Sequence, residues 1–335
     1  MTTSTASGMV SPMLATAPRL QPLLRWGAVI LSTCVLVPTV CFWFDAPHLV
    51  TLATRIAILS IAAISLNLLI GTCGLVSFGH GMYLAIGAYS VSILQTTGVD
   101  NGFAHFSAAT VVAGIAAALI GPLALRTSGI AFIMVTLAFA QMFFYLMISL
   151  RVFGGDDGMS LAGHSLLGPL DLGNRLGLFE VSVLLLAAIT ALSQLFNRST
   201  AGYALRAARQ NVRRAESLGL DIHRLRRIVY VVSAVLTADA GSLFANLNSY
   251  VSPSYSAWPM SGDLILIVVL GGMGSVFGPI VGAIFLLSVE SFAPGLSEHW
   301  MLPYGIAIVW IVMTARHGLL GALLALRPAG KERRQ

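Results

Sequence analysis

The sequence predicts an all-α integral membrane protein with about ten transmembrane crossings. Its 335 residues are 57% hydrophobic and only 10% charged, whereas an ordinary soluble domain carries roughly 25% charged residues. The hydrophobic residues also fall in blocks close to the ~20 residues that a helix needs to cross a bilayer core. Glycines interrupt two of the blocks, which predicts broken helices and an internal repeat.

The uninterrupted blocks divide the chain into one membrane domain and two tails. Blocks at 26–44, 50–70, 105–125, 130–150, 176–196, 228–247 and about 302–316 are predicted as spans. The first block is too long for a signal-peptide core and ends without a small-residue cleavage site, so it is interpreted as a retained helix. The domains predicted are a disordered cytoplasmic tail at 1–25, a transmembrane domain at 26–317 and a basic cytoplasmic tail at 318–335.

Basic residues predict the sidedness of the chain. Eight arginines lie in the hydrophilic segment 197–227, and others flank the first span and end the chain. The positive-inside rule places such segments in the cytoplasm, so both termini and this loop are predicted to be cytoplasmic. The acidic segments around Asp45, Asp100 and 151–174 are predicted to face the other side. The net charge of +6 therefore reflects topology, and nucleic acid is not a predicted partner.

Two apolar stretches are broken by a similar motif. Residues 71–79 read GTCGLVSFG and residues 271–278 read GGMGSVFG. Such breaks in two halves of a chain point to a repeat and to a translocation path, while glycines that only permit close helix packing are the alternative. The path residues predicted from the breaks are Gly71, Gly74, Ser77, His80, Gly271, Gly272 and Gly274.

The span at 228–247 contains one acidic side chain, Asp239. A carboxylate is costly in lipid and should face the bundle or a cavity. Asp239 is interpreted either as a path residue or as a structural partner of a group such as Asn246. His80 has no second histidine or cysteine at ligand spacing, so no metal site and no cofactor are predicted. The three cysteines, Cys34, Cys41 and Cys73, are interpreted as packing residues.

The arginine-rich segment contains a short amphipathic pattern. Leu205, Ala208, Val212, Ala215 and Leu218 recur at spacings of three and four, which predicts one face of a helix. The glycine at 219 suits a helix C-terminus. A face this small, without Trp or Phe, suits a groove on a partner protein better than insertion into lipid; a solvated topogenic loop is the alternative.

Segment 210–219, QNVRRAESLG, resembles the coupling-helix loop of LivM-type permeases, the membrane subunits of ATP-binding cassette importers for branched-chain amino acids. Three further segments resemble signatures of this family in the same order: LNLLIG at 66–71 with SFGHGMY at 77–83, TLAFAQ at 136–141 with GGDDG at 154–158, and GGMGS at 271–275. The resemblance runs from about residue 55 to about residue 303.

The resemblance implies a multi-pass permease of the bacterial cell inner membrane that forms half of the path for leucine, isoleucine and valine. Its implied partners are a LivH-like permease, two ATP-binding subunits of the LivG and LivF type, a periplasmic binding protein and membrane lipid. The chain has no Walker A sequence, so it is predicted to be a transport subunit and not an enzyme. Residues expected to couple it to the ATPases are Leu205, Ala208, Val212, Ala215, Glu216, Leu218 and Gly219.

Other functions remain open. A permease for another small polar solute, such as urea or an amide, would share these motifs, because the binding protein is the first filter for substrate. An ion-coupled secondary transporter would also use broken helices and an intramembrane acid, but it has no need of an ATPase-docking helix. A membrane-embedded enzyme would need a clustered acid–base or metal set, which the sequence does not display.

Overall fold

The computed structural model describes residues 47–168, 170–295, 299–314 and 318–325. The predicted first span at 26–44, the tail at 1–25, Cys34, Cys41 and the residues after 325 lie outside this part. In chain order its α-helices are α1 (Pro47–Cys73), α2 (His80–Thr96), α3 (Gly102–Ala124), α4 (Ile130–Ser149), α5 (Arg175–Arg198), α6 (Thr200–Gln210), α7 (Val212–Ser217), α8 (Ile222–Asn248), α9 (Trp258–Gly271), α10 (Gly278–Phe292), α11 (Met301–Thr314) and α12 (Gly318–Ala325).

In the part of the chain that the structure describes, the strands are four two-residue segments in the connecting loops. They are β1 (Met159–Ser160), β2 (Leu166–Leu167), β3 (Leu170–Asp171) and β4 (Tyr250–Val251). β1 pairs with β4 and β2 with β3, both antiparallel. The predicted all-α class is therefore confirmed, since these strands only tie loops together.

Six of the described helices are long and apolar enough to cross a membrane: α1, α3, α4, α5, α8 and α10 extended to Gly295. The predicted helical membrane protein is thus confirmed. These six helices do not account for the predicted number of about ten crossings. Helices α9 and α11 have only 14 residues each, or roughly 21 Å at 1.5 Å per residue, which is shorter than a bilayer core of ~30 Å.

Helices α1 and α8 form the centre of the bundle. In the apolar 18-residue stretch of α1, 94% of the residues are buried, whereas the corresponding share is 22% in α3 and in α4. A serine and threonine network joins the two central helices: Ser233 Oγ donates to the Ser65 carbonyl (2.5 Å), and the Ser65 and Thr237 hydroxyls lie 2.6 Å apart. Polar contacts of this kind hold helices together where apolar side chains gain little by leaving lipid.

Small residues allow helix α3 to approach α8 closely. Ala109, Ala113, Ala117 and Gly121 repeat every four residues and are all buried, and a Cβ at Gly121 would lie 3.1 Å from the Tyr230 ring. The opposite face of α3 exposes Ile115 and Leu119. Exposed apolar side chains on a membrane helix are suited to lipid or to a neighbouring subunit.

The loops gather at two opposite ends of the bundle. At one, the acidic-loop end, the Leu166 N–H donates to the Asp100 carbonyl (2.8 Å), and the Tyr250 hydroxyl donates to the Asp157 carbonyl. Loops 97–101, 150–168 and 249–257 therefore meet there. At the other, the Arg-loop end, Arg209 of α6 contacts the last turn of α1, and α7 packs on α6 and α8. The segments predicted to face opposite sides of the membrane thus separate in space.

Helix α12 falls in the segment predicted as a cytoplasmic tail. It packs on α9 and α10, and a Cβ at Gly318 would lie 2.4 Å from the Gly272 Cα. The apolar run 318–325 therefore belongs with the helices around the second glycine break.

Candidate functional site: two paired helix breaks

The first glycine break separates α1 from α2. Residues 74–79 form no helix, and Gly74 has φ +70°, a left-handed conformation that glycine adopts without a Cβ clash. Side chains from other helices satisfy the exposed backbone. The Phe78 N–H donates to Thr136 Oγ1 (3.1 Å), and Ser261 Oγ donates to the Phe78 carbonyl (2.7 Å). Irregular backbone at membrane depth is tolerated when protein groups bind it in this way.

The second break, residues 272–277, separates α9 from α10 and has the same length of six residues. Gly272 and Gly274 have φ +116° and +89°. The predicted glycine-interrupted helices are therefore present. Their packing differs, because α10 folds back along α9 whereas α2 packs mainly on α8. The internal repeat stays a prediction.

The two breaks touch each other. A Cβ at Gly71 would lie 3.1 Å from the Gly274 Cα. Asn67, about two turns before the first break, joins them: its Nδ2 donates to the Ser275 carbonyl (2.8 Å), and its Oδ1 accepts from the Gly274 N–H (3.1 Å). Tertiary structure thus brings together segments that are 200 residues apart in the chain.

His80 begins helix α2 and is fully buried. Its Nε2 lies 2.8 Å from Ser233 Oγ. Because that hydroxyl donates its hydrogen to the Ser65 carbonyl (2.5 Å), the Nε2–H must donate to it, and a neutral imidazole here carries its hydrogen on Nε2. The Nδ1 atom then has only a lone pair and finds no partner within the described residues. Ser77, also buried, accepts a hydrogen bond from the Gly79 N–H (3.2 Å).

Asp239 lies apart from the breaks. Its Oδ1 accepts a hydrogen bond from Thr110 Oγ1 on α3 (3.1 Å). Asn246, the partner considered from the sequence, instead binds the Ser165 N–H (3.0 Å) and the Ser242 carbonyl (2.8 Å). No group of three or more metal-ligating side chains occurs in the part of the chain that the structure describes.

The amphipathic segment was predicted as one helix, and the structure corrects this. Asn211 has φ −156° and separates α6 from α7, with its Oδ1 accepting from the Arg214 N–H (3.1 Å). An asparagine side chain that caps the following turn competes with helix continuation. The apolar positions of the segment therefore belong to two short helices.

The predicted coupling residues divide into a buried and an exposed set. Leu205, Ala208 and Ala215 are at most 3% exposed and pack in the same cluster as Leu68 and Leu69. Glu216, Leu218 and Gly219 are exposed, with Leu218 at 76%, and Val212 is half-buried. The apolar face of the segment thus covers the chain's own core, and the surface of α7 is what remains open.

Arg209, on α6, contacts the first break directly. Its Nη1 donates to the Gly71 carbonyl (3.1 Å), and a Cβ at Gly74 would lie 3.0 Å from its Cγ. Carbonyls in the last turn of a helix lack intrahelical partners, and a cation there is favourable. Sequence analysis counted this residue among eight arginines, and nothing in its spacing distinguished it from the others.

The fold and this site define a class of protein. A bundle of apolar helices, with two contacting glycine breaks reached by a basic loop, is typical of a membrane transport subunit. Residues 48–314 match the family described as "Branched-chain amino acid transport system / permease component". The chain belongs to that family, and its predicted resemblance to LivM-type permeases is confirmed.

Relatives in this family carry related names. The chain is 29% identical to the high-affinity branched-chain amino acid transport system permease protein LivM of Escherichia coli, over 81% of this chain and 69% of that protein. It is 25% identical to LivH of the same organism, over 81% and 93%. It is also 28% identical to the autoinducer 2 import system permease protein LsrC of an Enterobacter species, over 40% of each chain. No solved structure matches the chain.

Proposed function

We propose that this permease forms half of the path of an ATP-binding cassette importer, and that the Arg-loop end couples ATP hydrolysis to the paired breaks. The observation that carries the proposal is the hydrogen bond from Arg209 to the Gly71 carbonyl. It links a loop that faces outward from the bundle to the segments where helical backbone is interrupted. A secondary transporter has no need of such a link.

The exposed surface of α7 is the proposed docking face for an ATP-binding subunit. Glu216 is exposed on α7, and Leu218 and Gly219 are exposed directly after it. An exposed leucine beside charged residues suits the rim of a protein groove. Leu205, Ala208 and Ala215 would transmit the movement, because they seat the loop on the core. A movement of α7 would then be transmitted to α6 and Arg209, because the two helices pack as one unit.

The paired breaks are the proposed moving part of the path. Gly71, Gly74, Gly271, Gly272 and Gly274 give backbone that bends without Cβ clashes, and Asn67 makes the two breaks move together. Ser77 and His80 lie beside the first break, and the free lone pair of His80 Nδ1 is available to a donor when the helices rearrange. Asp239 is proposed to line the path on the side of α3, where it accepts a hydrogen bond from Thr110.

The assembly follows from this assignment. The proposed partners are a LivH-like permease, LivG- and LivF-like ATPases and a periplasmic binding protein in the inner membrane, with both termini cytoplasmic and about ten crossings in this chain. ATP hydrolysis is assigned to the partner chains. Leucine, isoleucine and valine are the proposed substrates, as the names of LivM and LivH indicate. A permease for another small polar solute is the alternative, since the LsrC relative is named for a different import system.

Arg209→Gln tests the coupling. We expect substrate-stimulated ATPase activity and leucine uptake to fall at least tenfold in the reconstituted transporter, while recovery of the complex and its basal ATPase activity remain. Arg198→Gln is the matched control, because this arginine is exposed at the end of α5, outside α6 and α7. Normal uptake by Arg209→Gln would refute the coupling, and wild-type uptake driven by an ion gradient without ATPases would refute the importer.

A further inference from the structure

Three charged side chains lie together between α1, α9 and α10. Arg55 Nη2 is 3.1 Å from Glu290 Oε1, and these side chains remain 41% and 36% exposed. The exposed Asp263 lines the same small cavity. The paired breaks do not use these groups. Charges within membrane helices are costly unless they are paired or functional.

Charge and free hydrogen-bonding capacity in this cluster match a zwitterion. The guanidinium of Arg55 has five N–H donors, and the structure engages it with a single oxygen of Glu290. Asp263 forms no hydrogen bond or ion pair with any described residue. A ligand carboxylate can therefore share the guanidinium, and a ligand ammonium can pair with Asp263.

The remaining wall of the cavity is apolar. It is formed by Leu59, Phe244, Met260, Leu264, Ile267, Leu286 and Leu287. The cavity measures about 40 Å³, which holds roughly three water-sized groups at 10–15 Å³ each. Apolar walls of this kind suit an aliphatic group.

The position of the cluster connects it to the paired breaks. Arg55, Asp263 and Glu290 lie toward the acidic-loop end of α1, α9 and α10, and the same three helices reach the breaks at Gly71, Gly271 and Gly278. Along α9 the separation from Asp263 to Gly271 is eight residues, or roughly 12 Å. A ligand held between these charges would lie directly above the breaks.

We propose that Arg55, Asp263 and Glu290 form a binding site for the zwitterionic head of an α-amino acid, with the aliphatic side chain in the adjoining cavity. The proposal rests on the proposed transport function and names the substrate contact within it. Arg55 receives the carboxylate, Asp263 receives the ammonium, and Glu290 orients the guanidinium between them.

Equilibrium binding of tritiated leucine to the assembled transporter, without binding protein, tests the site. We expect Arg55→Gln and Asp263→Asn each to weaken binding at least tenfold. Glu180→Gln is the matched control, because this carboxylate is exposed in the second turn of α5 and should leave binding unchanged. Asp263 is exposed, so Asp263→Asn gives an answer even if Arg55→Gln fails to fold.

Competition by leucine analogues separates recognition from folding. 3-Methylbutan-1-amine lacks the carboxylate and 4-methylpentanoate lacks the ammonium, and neither should compete well on the wild type. The amine should compete as well as leucine on Arg55→Gln, and the acid should do so on Asp263→Asn. If Arg55 and Asp263 had only a structural role, the two variants would not differ in which analogue competes.

Three outcomes would overturn the site: unchanged leucine binding in both variants, no leucine binding to a wild-type transporter that takes up leucine, or loss of the partner permease from Arg55→Gln in place of lost binding. The last would assign the charges to a subunit interface. If the wild-type transporter took up no leucine even with its binding protein, the proposed substrates would be refuted, and the importer would be assigned to another solute.

Discussion

Gly87→Ala tests a close helix contact between α2 and α8. A Cβ at Gly87 would lie 1.9 Å from the Ala238 carbonyl oxygen. Carbon and oxygen atoms approach to about 3.3 Å, so the helices would have to separate by about 1.4 Å. Overpacking of this kind costs about 1–3 kcal/mol. Weakening the hydrogen bond from Ser242 Oγ to the Gly87 carbonyl, now 3.2 Å, costs about 1 kcal/mol.

The alanine recovers about 1 kcal/mol through helix propensity, so the free energy of unfolding should fall by about 1–3 kcal/mol. Gly114→Ala is the matched control, because a Cβ there would meet only Val235 Cγ2 at 3.6 Å, and it should be neutral or stabilise by up to about 1 kcal/mol. Unfolding by sodium dodecyl sulfate in mixed micelles measures both variants. Equal stability of the two would refute the close approach of α2 and α8.

Two further substitutions test the contacts that carry the site. Asn67→Leu removes both hydrogen bonds to the second break and leaves the Gly274 N–H and Ser275 carbonyl unpaired, so we expect a loss of about 2–4 kcal/mol; the same unfolding titration checks this, and a loss below about 1 kcal/mol would contradict the bridge. Asp239→Asn keeps an oxygen that can accept from Thr110 Oγ1, so stability should change by less than about 1 kcal/mol; a larger loss would show that the carboxylate charge itself holds α3 to α8.

Local sequence determined the class of structure. Blocks of about 20 apolar residues specify membrane helices, and the glycines at 71–79 and 271–278 marked the two places where helices end. Those signals are short-range: hydrophobicity acts through composition, and glycine acts through its own backbone freedom. The same holds for the Arg-rich segment 197–227, whose amphipathic pattern was recognisable even though its break at Asn211 was not.

Only the tertiary structure decided which groups meet. The pairing of the breaks depends on Asn67 reaching across to Gly274 and Ser275, and spacing along the chain does not reveal such a contact. The same is true of Arg209, which is one arginine of eight until α6 packs beside Gly71. Periodicity predicted an apolar face on the coupling segment but not what packs against that face. In the structure it packs against the core of the same chain.

The charged cluster shows the same division between sequence and fold. Arg55, Asp263 and Glu290 are separated by up to 235 residues, and nothing in their spacing along the chain indicates that they meet. Hydropathy determines that a helix enters the membrane, but the rotation and neighbours of that helix follow from side-chain packing. For this protein the sequence alone therefore determined the membrane helices and their breaks, while the packing of α1, α9 and α10 decided which charges share a cavity.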